Sequence, residues 1–228
     1  MNNTTTIEFF HDVICSFCFP MSYRMRELAA QMPNLTITHR SFALARSEAD
    51  LIAMFGSREQ AKNEILNHWD HANHNDDNHR FNIEGMRAAN FPFPTSMNGL
   101  LACKAAGLIG GDKVYWDAFD AIQQKLFVEN QNIEDPTVIA DAIKTTKIDF
   151  EAWQTQLDKP ETLAAVEADF KLAAAYQIQS VPTLIVNGKY RISGAQPLEN
   201  IKAAIQQVTI EEMDGASCKI VNGQMYCE

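Results

Sequence analysis

The spacing of apolar positions changes character several times along the chain, and each change predicts an element. Thr4 to Phe10 is a β-branched and aromatic run that suits a buried strand. Beyond Cys15, residues Met21, Met25, Leu28, Ala29 and Met32 recur at helical intervals, and the stripe closes at Pro33. Leu35 and Ile37 then alternate with Thr36 and Thr38, reading as a second strand through His39 to Phe42. Strand, crossover helix and strand at this short range make a parallel βαβ unit. From about Glu48 to Gln177 the pattern is helical, in stretches such as RAANFPFPTSMNGLLACKAAGL, VYWDAFDAIQQKLF and PTVIADAI. Pro92, Pro94, Pro136 and Pro160 punctuate that region where helices start or stop. Strands return at Thr183–Val186, followed by the hairpin turn Asn187-Gly188, a partner strand from Lys189 to Ser193 and a last helix from about Pro197 to Gln207. The reading is one α/β sheet in two parts, residues 1–47 and 178–209, interrupted by an all-helical insertion, residues 48–177. Residues 210–228 form a tail.

Composition narrows the classes of function. The chain has 228 residues, 46% hydrophobic and 21% charged, which excludes a disordered segment, a collagen-like repeat or a small disulfide-dense scaffold. Its apolar runs fall short of the ~18–20 residues that cross a bilayer. Nineteen basic residues face 29 acidic ones, a net charge of −10, so neither nucleic acid nor a membrane surface is expected as a partner. The opening MNNTTTIEFFHDVIC lacks the basic start and unbroken apolar core of a secretory signal. A cytoplasmic location is therefore expected.

In that compartment a chain with so large a core has no need of structural bridges, so paired cysteines suggest redox or metal chemistry. Of five cysteines, four fall into local pairs, Cys15/Cys18 and Cys218/Cys227. Cys15-Ser16-Phe17-Cys18 lies where a strand hands over to a helix, and the unpaired first-turn N–H groups and the helix dipole there favour a thiolate. Thiols in such places ionise at pKa values of roughly 3.5–7.5 instead of about 8.5. Cys15 is then the attacking thiol and Cys18, one turn on, the resolving one. A closed zinc site would need two close pairs, but eight residues separate Cys218 from Cys227, and no metal ligand is assigned. Counting outward from the Asn222-Gly223 turn sets Cys218 opposite Cys227 in a tail hairpin, within disulfide reach. The two readings of that pair are a second redox couple and a static clip. Pro182, just before a strand, is either a plain strand-entry proline or a cis residue that exposes the Val181 backbone.

Other titratable residues carry weaker signals. Glu8, seven positions before Cys15 in an apolar strand, is a candidate proton relay, with a solvated strand end as the alternative. His11 and Asp12 read as solvated loop residues, although a protonated His11 would favour the Cys15 thiolate. His68, His71, His74 and His79 fall in NHWDHANHNDDNHR, most economically a solvated helix end, with a divalent-metal site as the alternative. Cys103 reads as a small buried residue.

A CxxC at a strand–helix junction, a helical insertion carrying FNIEGM, FPFPTSMNGLLACKAA and LFVENQNIEDPTVIADAI, and a closing SVPTLIVNGKYRISGAQP resemble the DsbA-like thioredoxin-fold family. The resemblance is to its cytosolic FrnE-type branch and covers nearly the whole chain. It implies a thioredoxin-like fold with a helical insertion domain and a dithiol–disulfide oxidoreductase or isomerase needing no organic cofactor. It implies Cys15 as nucleophile, Cys18 as resolving thiol, Pro182 in cis, and Val181 pairing with substrate backbone. Ser16 and Phe17 stand where the branch carries proline and often tryptophan, and Ser180 replaces a common glycine. Ser16 and Phe17 are expected to tune the thiolate and to meet substrate. An apolar groove formed by Phe17, Phe19 and Val181 is expected, with protein thiols and disulfides or small thiols such as glutathione as partners. The alternatives are a glutathione-dependent isomerase or transferase of the kappa and hydroxychromene-carboxylate type, and a non-catalytic metal-binding protein.

Overall fold

The computed structural model describes residues 4–214, 218–221 and 224–227, with side chains up to residue 210. β1 (Thr5–His11) leads through the turn that carries Cys15 into α1 (Cys18–Gln31), which ends two residues short of Pro33, and then into β2 (Leu35–Ser41). β1 and β2 pair in parallel, Thr5 with Leu35 through His11 with Ser41. β3 (Thr183–Val186) and β4 (Tyr190–Ser193) complete a mixed sheet of order β2-β1-β3-β4. β3 runs antiparallel to β1, with Phe10 opposite Thr183. All four strands lie within a residue or two of their predicted bounds.

Seven helices fill the interval between β2 and β3: α2 (Glu48–Phe55), α3 (Arg58–Asn75), α4 (Ile83–Ala88), α5 (Met97–Phe127), α6 (Pro136–Lys144), α7 (Phe150–Leu157) and α8 (Pro160–Ala175). The stretch read as helical from Arg87 onward is interrupted between α4 and α5, because Pro92 and Pro94 supply no N–H and push their predecessors out of the helical region. α5 is broken once, at Gly111, whose φ of 76° is open to glycine at little cost. Asp135 caps α6 by accepting the Thr137 N–H, with Pro136 at the first helical position as the sequence predicted.

The alternation along β1 sorts its side chains. Ile7 and Phe9 join a large core shared by α1, β3, β4 and residues of the insertion such as Leu66, Trp69 and Phe119. Phe10 packs on the other face with Ala173, Ile178 and Ile185. The two predicted units thus share one continuous core. α9 (Leu198–Asp214) leads to the antiparallel pair β5 (Cys218–Val221) and β6 (Gln224–Cys227), and β5 lies beside β4. Cys218 is the register partner of Cys227, as counted from the turn. Their side chains lie outside the described residues.

Candidate active site

Four chain segments converge at the carboxyl end of β1. The turn after β1 carries Cys15, Ser16 and Phe17, and Cys18 is the first residue of α1, so Cys15 precedes the helix instead of lying in its first turn. The Cys18 N–H donates to Cys15 Sγ at 3.2 Å, a contact that a thiolate accepts better than a thiol. Across the site the Val181–Pro182 peptide is cis, and the Cys15 thiol donates to the Val181 carbonyl at 3.5 Å. Cys15 Sγ therefore sits between a helix-start donor and a backbone acceptor. Cys18 is fully buried, and burial pushes its thiol well above the ordinary range; its contact with Cys15 adds to the shift.

Directly beneath lies Asp12, also fully buried. Its carboxylate accepts the Leu44 N–H and the Ser96 hydroxyl, each at 2.7 Å, and the Ile14 N–H at 3.3 Å. Burial raises its pKa to about 6 against these hydrogen bonds, and its charge contributes to the upward shift of Cys18. α5 can approach this turn because position 99 is glycine: a Cβ there would meet Val13 Cγ2 at 2.6 Å.

The structure corrects the solvated-loop reading of His11 and Asp12. Both are buried, and His11 Nε2 lies 3.0 Å from His39 Nδ1. Burial lowers His11 well below the usual histidine range and His39 to about 3, so the pair is neutral and supplies no positive charge to Cys15. Glu8, the candidate relay, is occupied elsewhere. Its carboxylate pairs with Arg40 at 2.7 Å and accepts the Tyr176 hydroxyl at 2.7 Å. Two-residue alternation along β1 puts Glu8 on the side of Phe10, opposite Phe9 and the larger core.

A cavity opens beside Cys15, walled by Ser16, Phe17 and Val181 on the cysteine side and by Met54, Phe55 and Ile65 of the insertion. Phe19 does not reach it. One helical position beyond Cys18, it turns inward to stack on Phe127 at 5.2 Å, under the Arg80 guanidinium. His68 joins the cavity wall, while His74 and His79 donate Nδ1–H to the carbonyls of Asp70 and Asn73 at 2.7 and 2.6 Å. Among the described residues no three His, Cys, Asp or Glu side chains come together in a metal-holding group. Cys103 is buried in α5, and burial pushes its thiol up. Asp12 and the insertion side of the cavity were missed by sequence reasoning. An aspartate after an apolar strand looks like a loop residue, and Met54 and Phe55 read as ordinary helix positions.

Comparison with known proteins adds to this geometry. A family model for the DSBA-like thioredoxin domain matches residues 6–206. The thiol:disulfide interchange protein DsbA of Pseudomonas aeruginosa is 32% identical over 91 residues, 39% of this chain and 43% of the relative. The match thus spans less than half of that relative's length. A Nitrosomonas europaea structure assigned as a protein disulfide isomerase superposes with TM-score 0.73 at 18% identity, covering 93% of this chain and 99% of that one. The cytosolic disulfide reductase DsbM of Pseudomonas aeruginosa superposes with TM-score 0.68 at 15% identity, covering 90% and 99%. These two likenesses are of fold.

Proposed function

Because the chain belongs to the DsbA-like thioredoxin-domain family, we propose that it is a dithiol–disulfide oxidoreductase or isomerase of the cytoplasmic FrnE type, working through Cys15 and Cys18. The observation that carries this reading is the placement of Cys15 Sγ between the Cys18 N–H and the Val181 carbonyl at the mouth of an open cavity. In the reducing direction the Cys15 thiolate attacks a substrate disulfide, forming a mixed disulfide and releasing one substrate thiol. Cys18, deprotonated, then attacks Cys15 Sγ and releases the second thiol, leaving the Cys15–Cys18 disulfide. Running the steps backward oxidises a substrate dithiol. Asp12, not Glu8, is the acid proposed to exchange a proton with Cys18, since it is the carboxyl whose charge the buried thiol feels. Val181, beside the cis proline, presents its backbone to an extended substrate segment, and Ser16 and Phe17 meet the substrate from the turn. The Cys218/Cys227 register makes that pair a candidate second couple, oxidised or reduced by exchange with Cys15/Cys18.

Insulin reduction and equilibration against a glutathione redox buffer test the reading. Native protein should form a Cys15–Cys18 disulfide, Cys15→Ser should lose activity, and Cys18→Ser should accumulate a mixed disulfide. Unaltered activity in Cys15→Ser would overturn it. A Cys218–Cys227 peptide in mass mapping, lost on mild reduction together with the Cys15–Cys18 peptide, is expected for the second pair; its absence at every potential would remove that part.

A further inference from the structure

Ser96 stands immediately before α5, where a serine ordinarily turns its oxygen back to accept an N–H of its own helix. Here it does not. Ser96 already has helical φ and ψ, −78° and −34°, and its side chain makes no capping hydrogen bond. The hydroxyl is spent on Asp12 instead, donating to Oδ2 at 2.7 Å while its oxygen accepts the Ala45 N–H at 3.2 Å. The Ser96 N–H returns to the Ala45 carbonyl at 2.8 Å, so backbone and side chain are both fixed. Gln123, near the other end of α5, holds the same turn, its Nε2 lying 3.4 Å from the carbonyl oxygens of Asp12 and Val13. A straight helix would carry Ser96 and Gln123 about 40 Å apart; the break at Gly111 lets both reach one residue.

The two carboxylate oxygens of Asp12 are unequally held. Oδ2 accepts the Leu44 N–H and the Ser96 hydroxyl, each at 2.7 Å, whereas Oδ1 accepts the Ile14 N–H at the longer 3.3 Å. A hydroxyl carries one hydrogen, and with the Ala45 N–H already donating to the Ser96 oxygen, that hydrogen is aimed at Asp12. A proton arriving on Oδ2 has to displace a donor; Oδ1 takes it at less cost. Ser96 and Asp12 are both fully buried, where a hydrogen bond to a charged group is strong.

The geometry points to Ser96 as a positioning residue for thiol–disulfide exchange: its hydroxyl keeps the Asp12 carboxyl ionised and directs the exchanged proton to Oδ1. This inference rests on the reading of Asp12 as the proton partner of Cys18. In the resolving step the Cys18 S–H proton passes to Asp12 Oδ1 and the Cys18 sulfur bonds to Cys15 Sγ. The bond from Cys15 to the substrate sulfur breaks, and its electron pair leaves with the substrate as a thiolate. The ionisable groups that feel the Asp12 charge are the thiols of Cys18 on α1 and Cys103 on α5 and the Tyr115 phenol, each raised by burial and so uncharged. His11, one residue before it, is neutral. What favours the ionised form of Asp12 is hydrogen bonding, from Leu44, Ser96, Ile14 and Val13.

Reduced full-length protein, mixed rapidly with the disulfide of thionitrobenzoate, tests this. Attack by Cys15 releases one coloured thiolate in a phase that depends on reagent concentration. Attack by Cys18 on Cys15 Sγ releases the second in a phase that does not. The rate of this second phase should rise with pH and level off above about 6, once Asp12 is ionised. Ser96→Ala should move the levelling-off point up by about one pH unit or more. Ser96→Gly, which also lacks the hydroxyl and is well tolerated at a helix start, should do the same. Ser96→Thr keeps the hydroxyl and should keep the native profile. So should Thr95→Val, which removes the neighbouring hydroxyl bonded to Glu134 at 2.9 Å. An unmoved profile in both hydroxyl-free variants, with the levelling-off lost in Asp12→Asn, would overturn the role of Ser96 and leave Asp12 as proton partner. An equal shift in Thr95→Val would overturn it as well, by showing a general loss of packing. A native profile in Asp12→Asn would overturn both readings.

Discussion

Asp12 is more deeply built into the site than its place in the sequence suggests. Its hydrogen-bond partners Leu44 and Ser96 lie 32 and 84 positions away, so nothing local marks it as buried. Cys15, Cys18 and Pro182 were legible because the CxxC spacing and the Val-Pro before a strand are local patterns. The pKa of Asp12, raised from 3.8 to about 6 by burial, has a definite consequence for stability. Below the ordinary carboxylate range, folded and unfolded chains both hold the proton. As pH rises, the unfolded chain ionises first and gains, so the folded state loses stability until the buried carboxyl also ionises near pH 6. The full loss is at most about 3 kcal/mol. Urea midpoints of Asp12→Asn relative to native protein should therefore shift in the variant's favour between about pH 4 and pH 7; a difference independent of pH would refute the assignment.

Among the elements, β2 shows how the insertion and the sheet are coupled. It is an edge strand, and two carboxylates from the helices close its free side. Asp112 of α5 accepts the His39 N–H at 3.0 Å, and Asp169 of α8 accepts the Ser41 N–H at 2.8 Å. Edge strands left open invite pairing with other chains. Asp169 also holds the Lys104 ammonium and lies 3.3 Å from Arg40, itself paired with Glu8. No sequence pattern singles out this acid; in the fold it is 3% exposed. Asp169→Asn leaves the buried Lys104 ammonium without a carboxylate, while Arg40 keeps Glu8, and should lower unfolding free energy by about 3–5 kcal/mol. Pairing it with Lys104→Met should recover part of that loss in chemical denaturation, and no recovery would show that the charge network is not its source.

On the scale of the molecule, sheet and insertion share one core, and the cavity wall takes residues from each. All three tryptophans, Trp69, Trp116 and Trp153, lie in the insertion and are buried, whereas the CxxC belongs to the sheet unit. A continuous core predicts one cooperative transition. Tryptophan fluorescence and the reactivity of Cys15 toward a thiol reagent should follow the same urea curve. Two separated curves would show that the insertion melts on its own.

Alternation, helical spacing, prolines and the Asn-Gly turns are written between near neighbours, and they were enough to place the strands, the helical interval and the two cysteines at a strand–helix junction. What needed the folded chain was every property set by partners distant in sequence: the burial of His11 and Asp12, the diversion of Glu8 to Arg40, the inward turn of Phe19, and the pocket closed by Met54 and Phe55. Burial and charge pairing depend on which surfaces meet, and local periodicity carries no record of that.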